Sequence, residues 1–182
     1  MKKMTRLFVT SLCMVALTSC GEQRKQVVYE EQGPTEIFTT PNTEVIPYRI
    51  PSITKTSKGN LLAVADSRPC GADIGYGRVD LHGRISQDNG KTWGDVFTII
   101  EGDGILVDND PNQSLTAGYG DPCLIADRES DRVLLLCVAG HQVFFRSTRE
   151  VPNQVAIMHS EDGGQTWGKP SIITDQFYVP LD

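Results

Sequence analysis

The sequence predicts an all-β protein built from four-stranded antiparallel sheets, arranged as blades of a β-propeller. Three observations carry this. No segment holds apolar residues at helical spacing long enough to make a credible helix. Short runs rich in β-branched and aromatic residues alternate with clusters of Gly, Asn, Asp and Pro. A short segment also recurs: "SQDNGKTWG" at 86–94 and "SEDGGQTWG" at 160–168 agree at Ser, Asp, Gly, Thr, Trp and Gly, 74 residues apart.

The elements follow in order. Strands are expected near 50–54, 60–67, 79–86 and 96–100, with "SKGN" as the hairpin turn between the first two. A second set is expected near 122–126, 132–139, 154–160 and 171–174, with "DRESD" as a polar turn. Four strands and then four strands, each set up-and-down, is the order of two propeller blades. A spare strand, "EIFTT" at 36–40, is expected to complete another blade by closing the ring.

Each repeat copy ends a third strand and starts a fourth, in the pattern SxDxGxTW known as the Asp box. Its physics is local. Ser86 and Ser160 open the two copies, and Asp88 and Asp162 accept backbone N–H bonds inside the turn. Gly90 and Gly164 allow positive φ. Trp93 and Trp167 pack between strands and anchor the turn. The pattern argues for fold and only weakly for function.

Residues 1–19 stand apart from this domain. "MKKMTR" is basic, and the mostly apolar run of thirteen residues at 7–19 is too short to cross a bilayer as an ordinary helix, which needs about 20. They have the size and flanks of a secretory signal. The end of the run, "LTSC", resembles the lipobox of bacterial lipoproteins, which implies cleavage before Cys20 and a lipid on it. No Asp follows Cys20, so an outer-membrane location is expected, with the membrane contacted through the lipid. Residues 20–34 read as a tether, and residues 35–182 as the propeller part.

Without Lys2, Lys3 and Arg6 the formal charge goes from −6 to −9. A net acidic chain with no basic run is a poor partner for nucleic acid. The charge does not exclude a small anionic ligand, because a local field can oppose the total. Five cysteines include Cys13 and Cys20 of the leader. Cys70, Cys123 and Cys137 remain, with no zinc spacing. Cys137 reads as a buried thiol, and a Cys70–Cys123 bridge is compatible with export.

The chemistry concentrates between Tyr48 and Asp121. In "YRIPSI", Arg49 sits inside an apolar strand. Taken alone, it reads as a strand-edge arginine paired with a structural carboxylate. The motif and the two Asp boxes together resemble the exo-sialidases, or neuraminidases, over about Tyr48 to Trp167. The resemblance implies a six-bladed propeller, of which this chain supplies about two blades. It also implies retaining hydrolysis of terminal sialic acid from glycoproteins, gangliosides and oligosaccharides.

In that family the motif arginine is one of three that clamp the sialic acid carboxylate. A planar guanidinium meets a carboxylate with two parallel hydrogen bonds, which lysine cannot do. Arg68 and Asp73 follow Arg49 by 19 and 24 residues. By resemblance Arg68 contacts the sugar near its 4-hydroxyl and Asp73 is the general acid/base, on a Gly-rich loop expected to be mobile. Asp66 and Asp80 compete for that role. Asp121 resembles the residue that reads the 4-hydroxyl from the other side, and residues 105–119 are expected near the N-acetyl pocket.

The nucleophile of the family is a tyrosine made basic by a glutamate, which avoids the repulsion that a carboxylate would meet at an anionic sugar. The tyrosine, the glutamate and two arginines of the clamp are expected beyond this chain. Tyr178 is read as structural, and the 182 residues alone are expected to be inactive. No cofactor or metal is implied, and His82, His141 and His159 receive no role. Two alternatives stay open: a non-catalytic Asp-box propeller that binds glycans or proteins, and a trans-sialidase.

Overall fold

A computed structural model describes residues 33–39, 48–69, 71–102 and 118–177. All its secondary structure lies within the unit Thr35–Asp182. The first sheet has the order β1 (Tyr48–Lys55), β2 (Leu61–Ser67), β3 (Asp80–Ser86), β4 (Phe97–Ile100). The second has the order β5 (Gly118–Ala126), β6 (Val133–Gly140), β7 (Gln154–Ser160), β8 (Ser171–Ile172). Every neighbouring pair is antiparallel and consecutive in sequence, as two successive blades require.

The core lies between the sheets. Leu62, Val64 and Leu81 from the first meet Val133, Leu135, Cys137, Ala139, Ala156 and Met158 from the second. In β6 buried and half-buried residues alternate strictly, the period of a strand with one face on a core. β2 is different, with Leu62 through Arg68 all buried. Leu62 and Val64 point at the second sheet, while Ala63 and Ala65 line a groove with Ile37 and Phe38. Small residues on that second face let the 33–39 segment approach.

The two inner strands share a distortion. β1 breaks register between Arg49 and Ser52, and β5 between Gly120 and Cys123. In each bulge the residue before the proline has positive φ: +48° at Ile50 and +54° at Asp121. Proline has no N–H for the ladder, so a bulge is where a strand tolerates it. Aligned on these prolines, "YRIPSI" and "YGDPCL" form a second internal repeat, 71 residues apart.

Both Asp boxes form the expected turn. Asp88 Oδ1 accepts the Thr92 N–H at 2.8 Å, and Asp162 Oδ1 accepts the Thr166 N–H at 2.9 Å. The serine hydroxyls of Ser86 and Ser160 each accept an N–H, from Gly90 and Gly164, at 2.8 Å. These bonds hold Asp88 down to about 2, with the Thr92 hydroxyl and N–H contributing most.

Two expectations about elements are corrected. Residues 36–39 are not a strand; they bend at Ile37 and Phe38, and Thr40 lies outside the described residues. The Ile37 carbonyl is taken by the Arg84 guanidinium, and the Phe38 ring stacks on Tyr48 at 5.0 Å. The last strand stops at Ile172, and Thr174 opens a single helical turn, α1 (Thr174–Phe177). There the Ile173 N–H still donates to the Val155 carbonyl at 2.8 Å, but the Thr174 hydroxyl accepts the Val155 N–H at 3.0 Å, so a side chain takes over half of the next rung.

Candidate active site

The site is organised by Arg68, which is 2% exposed. It follows directly on β2, and its guanidinium is surrounded by three carboxylates. Nε and Nη2 donate to Asp66 Oδ2 at 3.0 and 2.5 Å. Nη1 lies 3.0 Å from Asp73 Oδ1, and Nη2 lies 3.6 Å from Asp121 Oδ1. The Nη1 N–H groups are not aimed at Asp73, so they retain hydrogen-bonding capacity.

Asp66 is the residue that sequence reasoning treated only as a rival for the acid role. It is fully buried, and its second oxygen accepts the Asp121 N–H at 2.9 Å. It therefore ties the arginine of one blade to the inner strand of the next. Burial pushes its carboxyl up to about 6 against the lowering effect of Arg68, and the Asp121 carboxylate adds to the rise. The close approach depends on Gly120, where a Cβ would stand 3.0 Å from Asp66 Oδ2. The signal in the sequence was a charged residue at an inward position of an otherwise apolar strand, two before an arginine.

Asp73 and Asp121 are the exposed carboxylates, at 59% and 51% of side-chain area. Asp80, the other rival, is buried and committed: it accepts from Arg78 Nε at 2.8 Å and from the Gly102 N–H at 2.7 Å. Asp73 heads a turn in which its Oδ1 accepts the Ile74 N–H at 2.8 Å and its carbonyl accepts the Tyr76 N–H at 3.1 Å. The two residues after Asp73 correct the expectation of a mobile loop. Ile74 is buried, and Gly75 packs so tightly that a Cβ would meet Val143 at 2.5 Å. Asp73 is thus presented by a turn anchored between the sheets.

Arg49 stands at the first bulge, cross-strand from Asp66 in the pairing register, but its side chain is exposed. It makes no hydrogen bond or ion pair among the described residues. A structural arginine would have a carboxylate partner here, and this one has none among the described residues. Next to it, the Tyr48 hydroxyl bonds His82 Nδ1 at 2.9 Å. Burial lowers the His82 pKa and raises that of Tyr48.

Among the remaining sequence candidates, Cys123 is an exposed free thiol and Cys137 is buried, its thiol pushed up to about 12 by desolvation. Cys20, Cys70, Tyr178 and most of the 105–119 segment lie outside the described residues. The structure therefore gathers Asp73 and Asp121 around Arg68, and places Arg49 on the neighbouring β1, cross-strand from Asp66. The Asp boxes are built into the turns after β3 and β7.

No family model matches the chain. It is 32% identical over 135 residues to the sialidase of Micromonospora viridifaciens, covering 70% of this chain and 20% of that one. It is 25% identical over 177 residues to the sialidase of Paraclostridium sordellii, covering 92% of this chain and 41% of that one. Its fold is similar to that of NanB sialidase from Streptococcus pneumoniae, with a TM-score of 0.62 and 14% identity over 76% of this chain and 38% of that one. The chain thus spans less than half the length of the curated relatives that it matches. On its relatives, its two Asp-box sheets and its paired inner bulges, the chain belongs to the sialidase family and corresponds to one part of the sialidase propeller.

Proposed function

We propose that this chain supplies one side of the active site of an exo-α-sialidase that releases terminal sialic acid from glycoconjugates. The observation that carries this is the exposed Arg49 guanidinium, without a partner among the described residues, on the strand next to a buried arginine that gathers two exposed carboxylates. Sialic acid carries an ionised carboxylate on its anomeric carbon. Arg49 meets that carboxylate through two parallel hydrogen bonds and fixes the ring. Asp73 then lies on the leaving-group side, where it protonates the departing oxygen and later takes a proton from water. Arg68 holds Asp73 and Asp121 in place, and the exposed Asp121 carboxylate offers an acceptor to a ring hydroxyl.

The tyrosine nucleophile, its glutamate and the other carboxylate-binding arginines belong, on this reading, to parts of the relatives that this chain does not span. The test is release of free sialic acid from a fluorogenic α-sialoside by the protein translated from the complete reading frame. Binding of sialylated glycans without release would support a non-catalytic propeller. Transfer to a galactoside acceptor would support a trans-sialidase.

We also propose, from residues 1–20 alone, that the protein is exported and lipid-anchored at Cys20 on the outer membrane. Metabolic labelling with a radioactive fatty acid tests this: Cys20→Ser should lose the label, and a labelled Cys20→Ser would refute it.

A further inference from the structure

We propose that the groove between the two Asp-box turns is a second carbohydrate site, and that its ligand is an uncharged glycan. The groove has a volume of about 520 Å³. Asn60, Gln87, Trp93, Asp95 and Phe97 line it from the first sheet, and Gln165 closes it from the second box. Both walls belong to this chain, so the site stands independently of the sialidase reading.

The inference starts from a difference between two copies of one repeat. The boxes match in their Ser and Asp hydrogen bonds, and both glycines have positive φ. Their tryptophans do not match. Trp167 packs on the shared core, and its indole N–H donates to the Gly164 carbonyl at 2.9 Å. Trp93 lines the groove instead, and its indole N–H has no partner among the described residues. Its backbone is fixed all the same: Arg84 donates to the Trp93 and Gly94 carbonyls at 3.1 and 2.6 Å. One indole serves the fold, and the other is held at a surface with its donor free.

What surrounds Trp93 selects the ligand. Phe97 and Ile85 make an apolar floor. The side chains of Asn60, Gln87 and Asp95 make no hydrogen bond among the described residues. A hexose has an apolar face of C–H bonds that stacks on the electron-rich face of an indole. Its hydroxyls both donate and accept, which suits amides that do the same and a carboxylate that accepts. Charge disfavours the sialylated form. Asp95 and Asp162 line the groove, and neither lysine nor arginine does, so an anionic sugar meets like charge with no counterion.

The 182-residue chain has two tryptophans, so a ¹⁵N-labelled sample gives two indole N–H signals. Lactose serves as the neutral probe and 3′-sialyllactose as its anionic counterpart. The Trp93 signal, identified by its faster solvent exchange and by its loss in Trp93→Phe, should shift with lactose. Saturation is expected on the order of 1 mM. The Trp167 signal should stay in place, and 3′-sialyllactose should bind several-fold more weakly. Gln87→Ala, at an exposed position, should weaken lactose binding while leaving the rest of the spectrum unchanged. An unmoved Trp93 signal, equal shifts of both indoles, unchanged binding in Gln87→Ala, or tighter binding of the sialylated sugar would each overturn the proposal.

Discussion

Arg49 and Arg68 carry the same charge and sit in adjacent strands, but their environments give them opposite mutational signatures. Arg68 is buried against Asp66, so Arg68→Ala leaves a buried carboxylate without its counterion. A loss of about 3–5 kcal/mol is expected from urea unfolding. Arg49 is exposed and has no partner among the described residues, so Arg49→Ala should change stability by no more than about 0.5 kcal/mol. A large loss at Arg49 would mean that its role is structural. Asp66 adds a pH signature. Its carboxyl is raised from 3.8 to about 6 in the folded chain, so the unfolded form ionises first. Its contribution to stability is present in full below pH 3.8 and is lost as pH rises through about 6, amounting to about 3 kcal/mol. Asp88, Asp127, Asp131 and Asp162 are shifted down and act in the opposite direction, so the readout is a difference. Wild-type stability minus that of Asp66→Asn, measured from pH 4 to 8, should fall as pH rises. A flat difference would remove Asp66 from this role.

At the scale of elements, the paired bulges and boxes make equivalent positions comparable. Gly90 and Gly164 have nearly the same φ, +90° and +92°. A Cβ on Gly90 would meet Leu61 at 3.4 Å, whereas on Gly164 it would meet the fully buried Leu62 at 2.5 Å. Both alanine variants incur backbone strain, of order 1 kcal/mol. Gly164→Ala should cost about 1–3 kcal/mol more, because Leu62 has no room to yield. Equal losses in denaturant titrations would show that the second box is not seated on the first blade as described. The strands themselves were legible because alternation and turn residues are local signals. The bulge repeat, Tyr-x-x-Pro in both copies, was not read from the sequence; positive φ at Ile50 and Asp121 gave that spacing its meaning. The segment at 36–39 misled because its apolar residues suit a strand, and only Arg84, nearly fifty positions away, diverts its carbonyl.

For the whole molecule, stability rests on the contact between the sheets. Leu62 and Leu135 are fully buried in that contact, and truncating either to alanine should cost about 2–5 kcal/mol. Catalysis has a wider requirement. The chain spans 20% and 41% of two sialidases, so it holds only part of what the proposed chemistry requires. The 182 residues alone should release no sialic acid from a fluorogenic sialoside above the blank. Release at a rate that depends on Asp73 would sink that expectation.

Fold class, strand order and the two Asp boxes could be read from sequence, because each rests on a short periodic pattern or a local repeat, whereas the candidates Arg49, Arg68, Asp73 and Asp121 came from the resemblance to the exo-sialidases. Tertiary structure alone decided which of two arginines is free and which is locked, that Asp66 bridges two blades, and that Asp73 sits on an anchored turn. It also decided that one repeat tryptophan joins the core while its twin faces a groove. Those outcomes depend on burial, which packing of one sheet on the other creates, and in the case of Asp66 and Asp121 on a partner 55 residues away, and no local pattern encodes either.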